Sequence, residues 1–160
     1  MTDSSNQSVL LEARGLAHSF EALDVLRGVD LSVAAGESVA IVGPSGCGKS
    51  TLLNILGGLM TPSAGSVAVG GLDLSAMNPD QLASFRNTEI GYVFQAHHLL
   101  PQCTALENVL VPTLVQGDAA TRQVVAGRAR DLLQRVGLGD RLSHRPAKLS
   151  GGECQRVAVV

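Results

Sequence analysis

The stretch Gly43-Pro44-Ser45-Gly46-Cys47-Gly48-Lys49-Ser50-Thr51 constrains this chain more than any other, because it fixes both a backbone path and a kind of ligand. It follows the pattern G-x-x-x-x-G-K-[ST], which carries meaning only between a strand and a helix. Both flanks qualify. Ser38-Val39-Ala40-Ile41-Val42 before it is a short apolar run of the kind that forms a buried strand. Residues 50–56 after it have the spacing of an amphipathic helix.

The chemistry follows from the residue types. Gly43, Gly46 and Gly48 lack a Cβ, so the backbone can take positive φ and wrap closely around phosphate oxygens. The N–H groups of the loop, which also contains Pro44, Ser45 and Cys47, then form an anion nest reinforced by the positive end of the following helix. Lys49 is placed to reach the β- and γ-phosphates as a point charge, and the Ser50 hydroxyl to ligate Mg²⁺, with Thr51 completing the loop. The chain holds two lysines, Lys49 and Lys148, so a generally lysine-rich surface does not account for the match.

Composition narrows the remaining choices. At 160 residues the chain can bury a sizeable core. A net charge of -2 and a pI near 6.0 argue against a nucleic-acid partner, which usually meets a basic face. No apolar run approaches the ~20 residues of a membrane span, and residues 1–8 are polar, unlike a signal peptide. The expected place is therefore the cytosol, or a membrane face where another subunit holds the chain. The three cysteines, Cys47, Cys103 and Cys154, make neither a disulfide framework nor a metal-ligand spacing. Cys47 lies near a helix N-terminus, a setting that favours thiolate; the plainer reading is a small side chain at a tolerant position.

Residues 9–20 and 25–33 read as strands, the turn at 61–65 leads to a short strand at 66–69, and Gly70-Gly71 is a turn. A short helix is expected over 79–86, with Asn78 as cap and Pro79 in first position. Residues 90–94 read as another apolar strand, ending at Gln95. Beyond it the period becomes helical over 104–115, where Thr104 and Glu107 form a capping-box pattern, and over 118–136, which Gly137-Leu138-Gly139 ends. A nucleotide-binding core over 1–94 followed by a helical subdomain over 95–160 is the expected organisation.

Leu149-Ser150-Gly151-Gly152-Glu153 offers a second anion tool about a hundred residues after the loop: free N–H groups at a helix start, with Ser150 as N-cap. Two such sites at this distance are hard to fold onto one nucleotide. They pair more easily across a symmetric dimer, each ATP lying between the loop of one subunit and Ser150, Gly151 and Gly152 of the other.

Together the two motifs resemble the Walker A and signature motifs of the ABC transporter ATPases, over almost the whole chain. The resemblance implies a P-loop α/β core with an N-terminal antiparallel β region and a helical subdomain. It also implies ATP and Mg²⁺ as cofactors, a homodimer or a dimer with another ABC subunit, and integral membrane permease partners at the cytoplasmic face of the inner membrane. Gln95, after Gly91-Tyr92-Val93-Phe94, matches the family's Q-loop glutamine, which touches Mg²⁺ or water; Phe20 falls where the family stacks an aromatic on adenine. Lys49 and Gln95 thus become the candidate catalytic groups, and Ser50 and Gln95 the candidate metal contacts. Leu56-Gly57-Gly58-Leu59, His97-His98-Leu99-Leu100-Pro101, Thr104-Ala105-Leu106-Glu107-Asn108-Val109 and His144-Arg145-Pro146 are similar to the lipoprotein-releasing branch of the family. Macrolide exporters share much of this. The adjacent His97 and His98 point in different directions with no Cys or carboxylate cluster beside them, and read as loop residues rather than metal ligands.

The family's Walker B aspartate, catalytic glutamate and switch histidine follow the signature, whereas this sequence runs to Val160, and no Asp or Glu in it follows four apolar residues. Cys154 replaces a Gln or Arg common in the family, and Val160 an Ala. The expectation is a fragment or prematurely ended reading frame with an incomplete central sheet, marginally stable and slow to hydrolyse ATP. A non-hydrolysing nucleotide-binding module, or a soluble ABC relative of DNA repair or translation, remain the alternatives; compact motif spacing and the acidic pI disfavour the latter.

Overall fold

The computed structural model describes residues 8–21, 23–115 and 119–160. The polar stretch 1–7 and Asp118, the expected start of a helix, lie outside the described residues. The chain divides into two compact units, one up to Ile90 and one from Gly91 onward.

In the first unit, β1 (Val9–Phe20) and β2 (Leu23–Ala34) form a long antiparallel hairpin, with Phe20 opposite Leu23 and Val9 opposite Ala34. β3 (Ala64–Val69) pairs with the other edge of β1, and β4 (Leu72–Asp73) with β3, giving the order β2-β1-β3-β4. A strictly alternating strand would send Ala13 and Leu16 to opposite faces. Both are buried, because β1 bulges between them: Ala13 faces Leu31 while Leu16 faces Val29, and across the other edge Arg14 faces Ser66 while Ala17 faces Ala64. The extra residue turns Leu16 back to the inner side. That side packs on α1 (Lys49–Leu56) through Leu52, Ile55 and Leu56, and on Phe85 of α2 (Pro79–Glu89), with Leu26, Val67 and Leu74 completing the core. Asn78 and Gln81 close a capping box on α2 as the sequence foretold, and the Arg86 guanidinium donates to the Gly58 carbonyl (3.0 Å) after α1.

Two expected strands are absent. Neither 38–42 nor 90–94 joins a ladder, and β3 starts at Ala64 rather than Ser66. The reason is physical: a strand exists through hydrogen bonds to a neighbour, and among the described residues the four strands pair only among themselves. The apolar side chains that a parallel strand would bury stay in the open, with Val42 87 %, Val93 65 %, Val39 46 % and Phe94 42 % exposed. Ile41 alone of the first stretch packs against the core. The expected fold class holds for the antiparallel region, the loop–helix unit and the helical unit, with the central sheet unformed among the described residues.

The second unit is helical. α3 (Ala105–Leu110) carries the expected Thr104–Glu107 capping box but passes into a 3₁₀ turn at Val111–Val115, where the sequence pattern had continued a helix to 115. Pro112 explains this: it has no N–H, and its ring crowds the carbonyl four residues back. α4 (Ala119–Arg135) ends at Gly137, φ 74°, with the Leu138 N–H donating to the Leu133 carbonyl (2.8 Å). α5 (Gly151–Val159) follows, and Ala105, Leu133, Leu138 and Val157 form the core of this unit. The Ala105 and Leu106 N–H groups donate to the carbonyls of His144 and Leu142, which ties the start of α3 to the segment leading into α5. No described helix is long and apolar enough to cross a membrane.

Candidate functional site

The loop at Gly43–Thr51 ends in a helix start that has been left bare. Gly48 is the N-cap of α1, in the left-handed region (φ 92°, ψ 8°), where a side chain would be strained. A Cβ there would also lie 2.9 Å from Val25 Cγ1 and 3.2 Å from the Val25 carbonyl oxygen, so the loop sits directly on β2. No side chain caps α1 and no acidic residue occupies its first turn, whereas α2, α3 and α5 each close a full capping box. A helix N-terminus without such partners offers its N–H groups and its positive end to an external anion.

Lys49 is held over the same place. Its ammonium donates to the carbonyls of Pro44 (2.6 Å) and Gly43 (3.0 Å) and lies 3.7 Å from Cys47 Sγ. These contacts fold the chain of Lys49 back across the loop, so the charge stands against the loop carbonyls. An ammonium has three donors, and phosphate oxygens are stronger acceptors than neutral carbonyls. Phe20 closes β1 at the end of the hairpin that carries Val25; it is 45 % exposed, its ring edge-on to His18 at 4.7 Å. A partly exposed aromatic ring thus ends the strand that pairs with the loop's supporting strand. The described residues contain no His, Cys, Asp and Glu cluster able to hold a metal ion. Ser50 supplies a neutral, exposed hydroxyl, which suits a Mg²⁺ that arrives on nucleotide phosphates.

The second motif is built the opposite way, as a finished cap. The Glu153 N–H donates to Ser150 Oγ (3.2 Å), and the Ser150 N–H donates to Glu153 Oε2 (2.7 Å). Ser150 Oγ accepts from the helix it caps, and the residue is exposed at the helix start. Gly151 and Gly152 are exposed and lack side chains over the helix start. Arg141 Nε donates to the other carboxylate oxygen of Glu153 (3.2 Å). The hydrogen bond from the Ser150 backbone, then that of its side chain, then Arg141 hold the Glu153 carboxyl below the usual 4.5; Glu107 is lowered in the same way by Thr104. A lowered folded value means stability that is complete above the unfolded carboxylate value and lost as pH falls through the folded one. The urea midpoint should therefore drop on acidification below about 4.5. Replacing Glu107 and Glu153 together by Gln should flatten that acid limb; an unchanged limb would remove both caps from its cause.

Gln95 sits outside any ladder in an exposed stretch, its carbonyl accepting a hydrogen bond from Gln155 Nε2 of α5 (2.9 Å). Around it Tyr92 and Phe94 stack at 5.8 Å, and His98 meets Phe94 edge-on at 5.3 Å. His97 Nδ1 accepts from the Leu99 N–H (3.2 Å), a turn-forming use of the ring. Of the sequence-derived candidates, the first unit thus brings the loop and the Phe20 hairpin together, and the second joins Gln95 to the helix that begins at Ser150. Sequence reasoning missed Gln155 and Arg141. The position of Arg141 in a 3₁₀ turn (Gly139–Arg141) and a sixty-residue separation for Gln155 left no local signal for either.

A family model described as ABC transporter matches residues 26–160. The chain belongs to this family. The ABC chain is 53 % identical over 156 residues to the lipoprotein-releasing system ATP-binding protein LolD of Geobacter metallireducens, spanning 95 % of this chain and 68 % of that protein. It is 48 % identical over 159 residues to the LolD of Alcanivorax borkumensis, covering 97 % and 69 %. Among solved structures, the ABC chain is similar to a dimeric post-hydrolysis state of the ATP-binding cassette MJ0796 bound to ADP and Pi. That match has a TM-score of 0.84 and 34 % identity, over 94 % of this chain and 67 % of the other. A second dimeric structure of MJ0796, a bacterial ABC transporter cassette, gives 0.83 and 35 %. The antiparallel region, phosphate loop and helical unit are those of an ABC ATPase cassette.

Proposed function

We propose that this chain is the ATP-binding subunit of a bacterial ABC export system that powers lipoprotein release from the inner membrane. The observation that carries the reading is the bare start of α1 with the Lys49 ammonium folded over it, in a chain about half identical to proteins named for lipoprotein release. In this reading Gly43, Pro44, Ser45, Gly46, Cys47, Gly48, Lys49, Ser50 and Thr51 hold the phosphates, and Phe20 stacks on the base. Ser50 and Gln95 contact Mg²⁺, which when bound spreads the charge of the phosphates. Ser150, Gly151 and Gly152 of a second subunit close over the γ-phosphate, so that two chains share each nucleotide, and residues 1–94 and 95–160 act as binding core and signature subdomain. The MJ0796 structures, both dimeric and one with ADP and Pi, support that arrangement.

The subunit then works at the cytoplasmic face of the membrane, bound to permease subunits. ATP-dependent co-purification with the permeases of a lipoprotein-releasing system tests this directly. Binding that requires ATP and falls about tenfold in Ser150→Ala, the scale of one lost charge-assisted hydrogen bond, is expected. Capture by a macrolide-exporter permease alone would move the assignment to that system.

A further inference from the structure

The hydrogen bond from Gln155 Nε2 to the Gln95 carbonyl spans sixty residues and joins the two functional segments of the second unit. Gln155 lies on α5 five residues after Ser150, a rise of about 7.5 Å along the axis. The helix between them is anchored on both sides: Cys154 and Val157 are buried, and Glu153 is held by Ser150 and Arg141. It therefore moves as one piece. The segment that receives the bond is of a different kind. Residues 91–98 belong to no ladder or helix, Gln95 is exposed, and the Tyr92, Phe94 and His98 rings contact one another. Such a stretch takes its position from whatever grips its backbone.

We propose that Gln155 is a positioning residue: through the Gln95 carbonyl it sets where the Gln95 side chain stands relative to the helix that starts at Ser150. Any displacement of α5 when an anion engages Ser150–Gly152 is then passed to Gln95 by one short rigid link. The inference rests on the reading of Gln95 as a nucleotide-facing group, and the experiment separates the two. Amide hydrogen exchange of the full chain without nucleotide is compared for wild type, Gln155→Met, which keeps the size and loses the donor, and Gln155→Lys, which restores a donor. Exchange over residues 93–97 should rise about fivefold in Gln155→Met, what one ordinary hydrogen bond supports, and return to within about twofold in Gln155→Lys. The remainder of α5 should stay unchanged in both. Equal exchange in wild type and Gln155→Met, or a rise spread over the whole unit, overturns the proposal.

The second arm follows the Gln95 side-chain amide resonance during ATP titration. A shift in wild type that is more than halved in Gln155→Met, with ATP affinity held within about twofold, is expected, since the bond that Gln155 makes is to the Gln95 backbone. A response of equal size in both overturns the proposal alone. No response in wild type overturns the reading of Gln95 and the coupling to it, whatever the exchange result.

Discussion

Lys49→Ala should weaken ATP binding on the order of 100-fold while leaving the fold intact. The ammonium is the one cation on the loop, and it is already turned into the loop by the carbonyls of Gly43 and Pro44. Its removal deletes charge-assisted hydrogen bonds worth about 1.5–3 kcal/mol, and 1.4 kcal/mol is a tenfold change in affinity. The structural loss is small, because the two carbonyls it releases are exposed and regain water. Titration calorimetry with ATP and a urea melt of the same preparation separate the effects. Lys49→Arg tests geometry rather than charge, since a planar fork does not reproduce the point charge that the narrow loop receives. Affinity retained within threefold in Lys49→Ala would remove this lysine from the site.

The largest effect on stability should come from Gly65→Ala, at about 2–5 kcal/mol. Gly65 has φ 88°, a conformation that costs a residue with a Cβ about 1–2 kcal/mol. An added Cβ would meet the carbonyl oxygens of Arg14 and Gly15 at 2.5 Å, and those atoms are backbone in the bulge that turns Leu16 inward. Relieving the overlap means shifting β3 away from β1, a further 1–3 kcal/mol of overpacking. A typical domain holds only about 5–15 kcal/mol in total, so the melt should lose much of its midpoint. Gly127→Ala is the matched control. Gly127 lies inside α4 with no atom near the added Cβ, and the change should stabilise by about 0.5–1 kcal/mol. Similar melts for the two variants would contradict the close approach of β3 and β1.

These two glycines show where the sequence was legible. Signals carried by neighbours in the chain were read correctly: the caps at Asn78, Thr104 and Ser150, the stop at Gly137, and the loop before Lys49. Each depends on residues within a turn or so of one another. Gly65 was visible only as a turn residue, because what makes it irreplaceable is a bulge fifty residues earlier in β1. The strands expected at 38–42 and 90–94 failed for a related reason. Their apolar runs are real, but a run states only that a segment suits a buried ladder, not that a neighbour is there to complete it. In the candidate site, the glycine loop and the helix start that follows it were readable from residue types. The link between Gln95 and Gln155 was not, since neither residue carries a mark of the other until the chain is folded.

The uncapped start of α1 has a thermodynamic consequence. Where α2, α3 and α5 carry their own terminal acceptors, α1 carries none, and in the proposed reading the phosphates of a bound nucleotide complete its first turn. Ligand and fold are then linked by mass action: at a hundred times its dissociation constant a nucleotide adds about 2.7 kcal/mol to stability. That is comparable with what Gly65→Ala removes. The cell's ATP concentration would thus act as a folding cofactor for this subunit as well as its fuel, and a bare helix end is the device that couples them.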